Sequence, residues 1–461
     1  MLTSLQLKNF KSWANTGPIR LAPLTVIFGG NSAGKSSLGH LLLALKQTVL
    51  SADRKRSLNL GDSTTLIDLG TFIDCLHNHD VNLPLGFEIG WDLPKTLLVR
   101  NALNSSKRIF GNAMNLRSSI GVDGNTAQPE TLGFRYLLFD RHNKVALETE
   151  VTKNRRSFDL TAKGIKLVRW PGRGWPIEAP EKFYRLSEAS LARYQNAGFL
   201  REFALATEAV LRAIAYLGPL RDPPRRIYQW SGDTPEDVGQ RGEYATAALL
   251  SAEREGRRLK LPKVRKLQGF SEVIASQLQR LGIIKSFSVS PVAADRKEYE
   301  VLLRTTHQGT EVKITDVGVG VSQVLPALVQ AFYCPANSTV WMEQPEIHLH
   351  PQVQAELADV FITAIQAREN SEPRNVQLVI ESHSEHFLNR LQRRVADETI
   401  KAEDVAIYFA RLDSNETKIE PLRINDFGDI ENWPENFFGD EMADLTARAV
   451  AAAERLGKMK S

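Results

Sequence analysis

Between residues 24 and 45 the chain changes character twice, and that change fixes the local fold. Leu24-Thr25-Val26-Ile27-Phe28 is an apolar run of strand type, and the stretch from Leu38 to Leu45 is leucine-rich and helical. Between them, Gly29, Gly34, Lys35 and Ser36 fit the spacing G-x-x-x-x-G-K-S. A strand, a glycine-bounded loop and a helix in that order place backbone N–H groups and a helix start around an anion. Such a loop cradles a nucleoside triphosphate, with Gly29, Gly30, Asn31, Ser32, Ala33, Gly34, Lys35, Ser36 and Ser37 as its lining. Lys35 is expected to reach the β- and γ-phosphates and Ser36 to supply one oxygen to Mg²⁺. The competing reading, a glycine-rich turn with a chance lysine, leaves the flanking strand and helix unexplained.

Composition sets broad limits. A chain of 461 residues that is 42% hydrophobic buries a large core and has room for two or three lobes. A net charge of +4 is too small to argue for nucleic acid by itself. The two cysteines, Cys75 and Cys334, are far apart, which suits a reducing compartment and argues against a disulfide framework or zinc cluster. The opening MLTSLQLKNFKSW has no apolar signal-peptide core. The uncharged run Val317 to Met342 is long enough to span a bilayer, but its glycines, prolines and Asn337 read as helix, turn and strand in a buried core. The expectation is a cytoplasmic protein with no membrane partner.

Alternation marks Thr3 to Phe10 as a first strand and Leu24 to Phe28 as a second. From about Leu85 to Trp170, short alternating runs broken by turns predict antiparallel strands. Helical periodicity covers Ser187 to Ala215 and Gly269 to Leu281, and strands return at Ser286 to Leu303 and Glu311 to Thr315. From Val321 to Leu391 the order is helix, strand, helix, strand, helix, as in a parallel layer. Strand-like Val405 to Phe409 and Ile419 to Ile424 precede an amphipathic helix at Glu441 to Leu456.

The second half carries motifs that complement the loop. The strand Ser338 to Met342 ends in Glu343-Gln344-Pro345-Glu346-Ile347-His348-Leu349-His350-Pro351, and a carboxylate at such a strand end holds Mg²⁺ opposite a phosphate loop. The plain alternative is an acidic strand-to-turn exit. The strand Val376 to Ile380 ends in Glu381-Ser382-His383-Ser384-Glu385-His386, where a histidine can hydrogen-bond a terminal phosphate. Gly318, Gly320 and Ser322 stand just before or within a helix start, a second place for an anion.

In this order the motifs resemble ABC-type ATPase heads, in the prokaryotic branch shared by SMC, RecF-like and OLD-family proteins. Asn9-Phe10-Lys11-Ser12 is similar to that branch's opening motif. Tyr216 to Arg221 and the tail Gly428 to Phe438 resemble a subgroup with an uncharacterised C-terminal domain, found in phage-defence modules. The resemblance implies an α/β fold, an ABC-type P-loop ATPase head with a mixed sheet, an antiparallel β lobe and a helical insertion. It divides the chain into 1–84 and 311–400 as halves of the ATPase core, 85–310 as β lobe and helical insertion, and 401–461 as a small C-terminal domain. It implies a head-to-tail dimer with ATP and Mg²⁺ between subunits. Ser36 and Glu343 are then the metal ligands, and Glu343, Gln344, Glu346 and His383 the catalytic set. Gly318, Gly320 and Ser322 would approach the γ-phosphate from the second copy. The function implied is ATP-driven dimerisation that gates an effector protein, such as a nuclease, or a nucleic acid (DNA or RNA), in defence against phage. The alternatives are a RecF-like DNA-maintenance ATPase and a scaffold with structural ATP. The family's Q-loop glutamine has no counterpart in Leu69-Gly70-Thr71-Phe72.

Gln344 stands where this branch commonly has a water-polarising glutamate. Glutamine orients water but accepts no proton at neutral pH. Three readings stay open: a native slow site, a catalytic role taken over by Glu346, and a substitution that traps bound ATP. Basic residues from Arg254 to Lys266 read either as a nucleic-acid groove or, preferably, as a solvated loop. Arg221, Arg225 and Arg226 form a second basic knot that either pairs with carboxylates or reaches a nucleotide. His77 and His79 lack a third ligand and read as surface residues.

Overall fold

The computed structural model describes residues 1–434 apart from 102–103, 124–127, 156, 173, 294, 306–308 and 414–415, together with 448, 451 and 455. The helix read at Glu441 to Leu456 and the end of the Gly428 to Phe438 motif lie outside these residues.

Four mainly apolar strands, with polar residues chiefly at their ends, make the centre. Ile214–Leu217, Thr339–Glu343, Gln377–Glu381 and Leu24–Gly29 are buried along their whole length. They stand side by side and parallel in that order, then continue through Val405–Asp413 (parallel) and Glu416–Leu422 (antiparallel). Continuous apolar runs of this kind belong to strands covered on both faces. Alternate residues divide between two cores. Ile214, Tyr216, Trp341, Val379, Ile27 and Tyr408 face one, and Ala215, Leu217, Val340, Met342, Leu378, Ile380, Val26 and Ile407 face the other.

The first core is closed by the helices Lys35–Leu50 and Phe199–Arg212 and by an antiparallel sheet. That sheet is built on Leu2–Phe10, Leu85–Asn101, Asn104–Val122, Pro129–Phe139, Val145–Asn154 and Ser157–Lys163. The second core is closed by Ala245–Arg254, Phe270–Arg280, Val319–Tyr333, Pro351–Gln366 and Glu385–Ala396. The mixed α/β architecture with an antiparallel lobe is therefore present. Strand pairing runs across the sequence segments, since Ile214–Leu217 and Val405–Leu422 share the sheet of the phosphate-loop strand.

The helical stretch read from Ser187 to Ala215 is broken. Glu188–Leu191 forms one turn, and Phe199–Arg212 begins only after Asn196, whose side chain holds Val168 N and Lys166 O at 3.0 and 2.7 Å. Ile214 and Ala215 then join the central sheet. The helix Ala245–Arg254 carries no strong sequence signal, because its alanines give a weak contrast between faces.

The helix Lys35–Leu50 lies flush on the central sheet at Gly39, where an added Cβ would stand 2.6 Å from the Trp341 ring. In an open helix Gly→Ala gains about 1 kcal/mol, whereas overpacking a tight contact costs about 1–3 kcal/mol. Gly39→Ala is therefore expected to lower the apparent melting temperature, read by circular dichroism. A rise would show that the contact is loose.

Candidate nucleotide-binding site

The phosphate loop is held from below. Gly34 adopts φ 71°, a left-handed cap to the helix Lys35–Leu50, and Trp13 Nε1 donates to its carbonyl at 3.1 Å. A Cβ at Gly34 would strike Ser12 Oγ, and one at Gly29 (φ 148°) would strike the Ala410 carbonyl. Gly29 is thus favoured by backbone angle and by space, and Gly34 by its left-handed backbone angle. The Asn9-Phe10-Lys11-Ser12 segment makes the hairpin that carries Ser12 and Trp13. Asn9 Nδ2 donates to Leu83 O at 2.6 Å, and His77 N donates to Asn9 Oδ1 at 3.1 Å. His77 is thus half-buried and faces Lys11 O at 2.9 Å, while His79 is exposed as expected.

Lys35 is buried, and its Nζ donates to Gly29 O and Gly30 O at 3.0 and 2.8 Å. Burial lowers its pKa, against the pull of Glu381, Glu346 and Glu343. Gly30, Asn31 and Ser32 are exposed above it.

The register of two parallel strands places Glu343 beside Glu381. Ser36 Oγ lies 3.0 Å from Glu343 Oε2 and 2.8 Å from Glu381 Oε2. A hydroxyl has one proton, so two carboxyls can share it only if one brings a proton of its own. The surroundings decide which. Burial works against the charge of Glu343, but His40 at 3.6 Å, a 2.6 Å bond from Tyr216 Oη and the Ser36 contact together hold its pKa below the usual value. Glu381 is wholly enclosed, and burial followed by the Glu343 charge pushes its pKa up to about 8, against bonds from Trp341 Nε1 at 2.7 Å and Ser36. Glu343 is the anion and Glu381 the proton holder.

Beyond Glu343 the chain turns at Gln344 (φ 44°), whose N–H donates to Glu381 O at 2.9 Å. The Gln344 side chain is half-buried and has no hydrogen-bond partner among the described residues. Glu346 is buried, and its Oε1 accepts from Ser382 Oγ at 2.7 Å and His383 N at 2.8 Å. Burial raises its pKa. His383 is exposed at the edge of the site, and its pKa is lowered by desolvation of its inner side and by the positive Lys35.

Gly29 to Ser37, Glu343, Gln344, Glu346 and His383 therefore converge at the ends of three neighbouring strands. Gly318, Gly320 and Ser322 begin the helix Val319–Tyr333, where Gly320 lies against His348 O and Leu349. No described hydrogen bond joins Gly318 or Gly320 to the phosphate loop. In the basic knot, Arg226 pairs with Asp316 at 2.8 Å, Arg225 with Asp222 at 3.6 Å, and Arg221 Nη2 donates to Glu343 O at 3.2 Å. In the basic stretch near Arg254, Arg257 is tied to Glu369 at 2.8 Å, while Arg258, Lys260, Lys263, Arg265 and Lys266 are exposed. Sequence reasoning did not assign Glu381, Tyr216, His40 or Trp341 to the site. Glu381 had a readable signal, an acid ending a second apolar strand; the other three depend on packing.

The oxygens of Ser36, Glu343 and Glu381 form a hard donor set with one net charge. That fits Mg²⁺, which takes one or two carboxylates and completes its shell with water and phosphate. No cluster of three or more His, Cys, Asp or Glu placed for a metal occurs among the described residues. No described helix is long and apolar enough to cross a membrane.

A glycine loop, its lysine and serine, and an acid at the next-but-one parallel strand define a P-loop nucleotide-binding protein. The chain belongs to the family described as "AAA domain, putative AbiEii toxin, Type IV TA system", which matches residues 24–389. Residues 400–447 match a second family, "Protein of unknown function (DUF3696)", so the uncharacterised C-terminal region read from the sequence is present. No curated protein matches. Among solved structures the chain is similar to an SMC head bound to the C-winged helix domain of ScpA, at 10% identity and TM-score 0.41, over 92% of this chain and 98% of that one. It is also similar to the SMC head domain from Thermotoga maritima, at 10% identity and TM-score 0.38, over 91% and 98%. A Pyrococcus furiosus SMC head structure matches at 10% identity and TM-score 0.37, over 92% and 96%.

Glu381 makes stability depend on pH in a definite sense. Its folded pKa of about 8 lies above the ordinary 4.5, so the folded state keeps a proton that the unfolded state releases. Its contribution is intact below about 4.5 and is lost as pH rises through about 8. Glu381→Gln is expected to flatten the fall of melting temperature over that window. An unchanged slope would place the shared proton elsewhere.

Proposed function

We propose that the chain binds ATP with Mg²⁺ and hydrolyses it slowly, and that the bound nucleotide controls assembly with a second copy of the chain. The observation that supports this best is Ser36 lodged between Glu343 and Glu381 at the floor of the phosphate loop. Lys35 already spends its ammonium protons on loop carbonyls, which incoming phosphate oxygens would replace. Ser36 and Glu343 would hold Mg²⁺, with Glu381 beside them; the cation supplies charge neutralisation for the departing phosphate. Glu343 suits that task because it stays ionised, and Tyr216 fixes its other oxygen.

Gln344 follows the anionic Glu343 and keeps its side-chain amide unengaged, so it would orient the attacking water without taking its proton. Glu346 is enclosed and one of its oxygens is committed to Ser382 and His383, which argues against a role as the base. His383, lowered in pKa, would meet the terminal phosphate as a neutral donor. Such chemistry relies on positioning and electrostatics, so a site without a formal base is slow and not dead.

Gly318, Gly320 and Ser322 begin a helix with an exposed glycine at its N-terminus, suited to meeting a phosphate presented by a second copy. The output would be control of a partner effector, such as a nuclease, or of nucleic acid, in a defence setting that the family description suggests.

Lys35→Ala is expected to abolish ATP binding in a fluorescent-analogue titration and to abolish any ATP-dependent mass increase in light scattering. Assembly unchanged by this substitution would sink the switch. Gln344→Glu is expected to raise turnover about a hundredfold or more, the scale of a general base, in a phosphate-release assay. No gain would mean that water activation is not limiting.

A further inference from the structure

Arg221 and Glu346 carry matching deficits. Arg221 is 7% exposed; its Nη2 donates to Glu343 O, but Nε and Nη1 have no partner. Glu346 is 5% exposed; Oε1 has two donors, but Oε2 has none. Unpartnered buried donors and acceptors are costly and rare, and a charged one costs most. The two groups lie near enough to favour each other's charged form, yet no hydrogen bond or ion pair joins them.

The topology explains why they meet. Arg221 follows the strand Ile214–Leu217, Glu346 follows Thr339–Glu343, and Ser382 and His383 follow Gln377–Glu381. These strands are consecutive and parallel, so their exits stand in a row. The middle exit is bracketed by two left-handed residues, Gln344 (φ 44°) and His348 (φ 64°). Such backbone is costly and persists only when its surroundings hold it.

We propose that Arg221 is a positioning residue for the Gln344–Glu346 turn, gripping it at the Glu343 carbonyl and, through one bridging water, at the Glu346 carboxylate. This rests on the ATPase reading of the same site. Glu346 then serves as an anchor: one oxygen faces the arginine's side of the turn, the other holds the His383 backbone. The row Arg221, Glu346, His383 ties three strand exits together behind Gln344. A single buried water with three polar neighbours is ordinary in such a gap.

Two readouts test this separately. Thermal melting of the nucleotide-free wild type, Arg221→Met, Glu346→Gln and the double variant measures the pair without reference to catalysis. The double variant is expected to lose less melting temperature than the two single losses summed; additive losses would overturn the pair. Steady-state kinetics then test positioning. Arg221→Met is expected to lower kcat about tenfold or more, the scale of a misplaced reacting group, with KM within about threefold of wild type. Arg221→Lys, which keeps the charge but not the fork, is expected to recover part of kcat and covers the case in which Arg221→Met fails to fold. Unchanged kcat, or a loss confined to KM, would overturn the role. A wild type without any turnover would remove the ATPase reading and leave the melting cycle to decide the pair.

Discussion

Ser36 Oγ, in contact with two glutamates, is the interaction on which the rest of the site depends. It exists because the strands Thr339–Glu343 and Gln377–Glu381 run parallel in a register that sets Glu343 beside Glu381. It also needs the phosphate-loop strand to pair with the second of them, so that the loop leads Ser36 back over both acids. A slip of one residue would turn either carboxylate to the opposite face of the sheet. The apolar cores on both faces resist such a slip, since each strand's alternate residues belong to different cores.

Burial then gives the two acids different tasks. Identical side chains at equal heights in the sheet differ because Tyr216 and His40 reach Glu343, while Glu381 is wholly enclosed and has only the Trp341 indole, Ser36 and the pull of Lys35 to set against burial and the Glu343 charge. One carboxylate keeps its charge, and the other keeps a proton that spares the site a second buried anion. Trp341 also presses on Gly39 of the phosphate-loop helix. The same side chain thereby seats the helix and donates a hydrogen bond to Glu381.

Much of this was legible in the sequence. The loop, its strand and helix, the acidic strand end and the histidine turn are local patterns, and local patterns survive folding. The antiparallel lobe could be read from alternation, and Asn9 to Ser12 from resemblance; its reason, a hairpin that seats Gly34, needed coordinates. What escaped depends on distant residues meeting. Tyr216 lies far from Glu343 in sequence, and its strand was absorbed into a helical reading because Ile214 and Ala215 continue the apolar spacing of the preceding helix. Arg221 was visible as part of a basic knot, but three neighbouring arginines look alike until burial separates one from two exposed ones.

The decisive point is whether Glu343 is the acid that makes nucleotide binding metal-dependent. The most direct measurement is isothermal titration of ATP into wild type and Glu343→Gln protein, each with Mg²⁺ and with EDTA. The account predicts that Mg²⁺ tightens ATP binding to wild type and that Glu343→Gln removes most of this gain while still binding ATP. Equal Mg²⁺ enhancement in both proteins would contradict it.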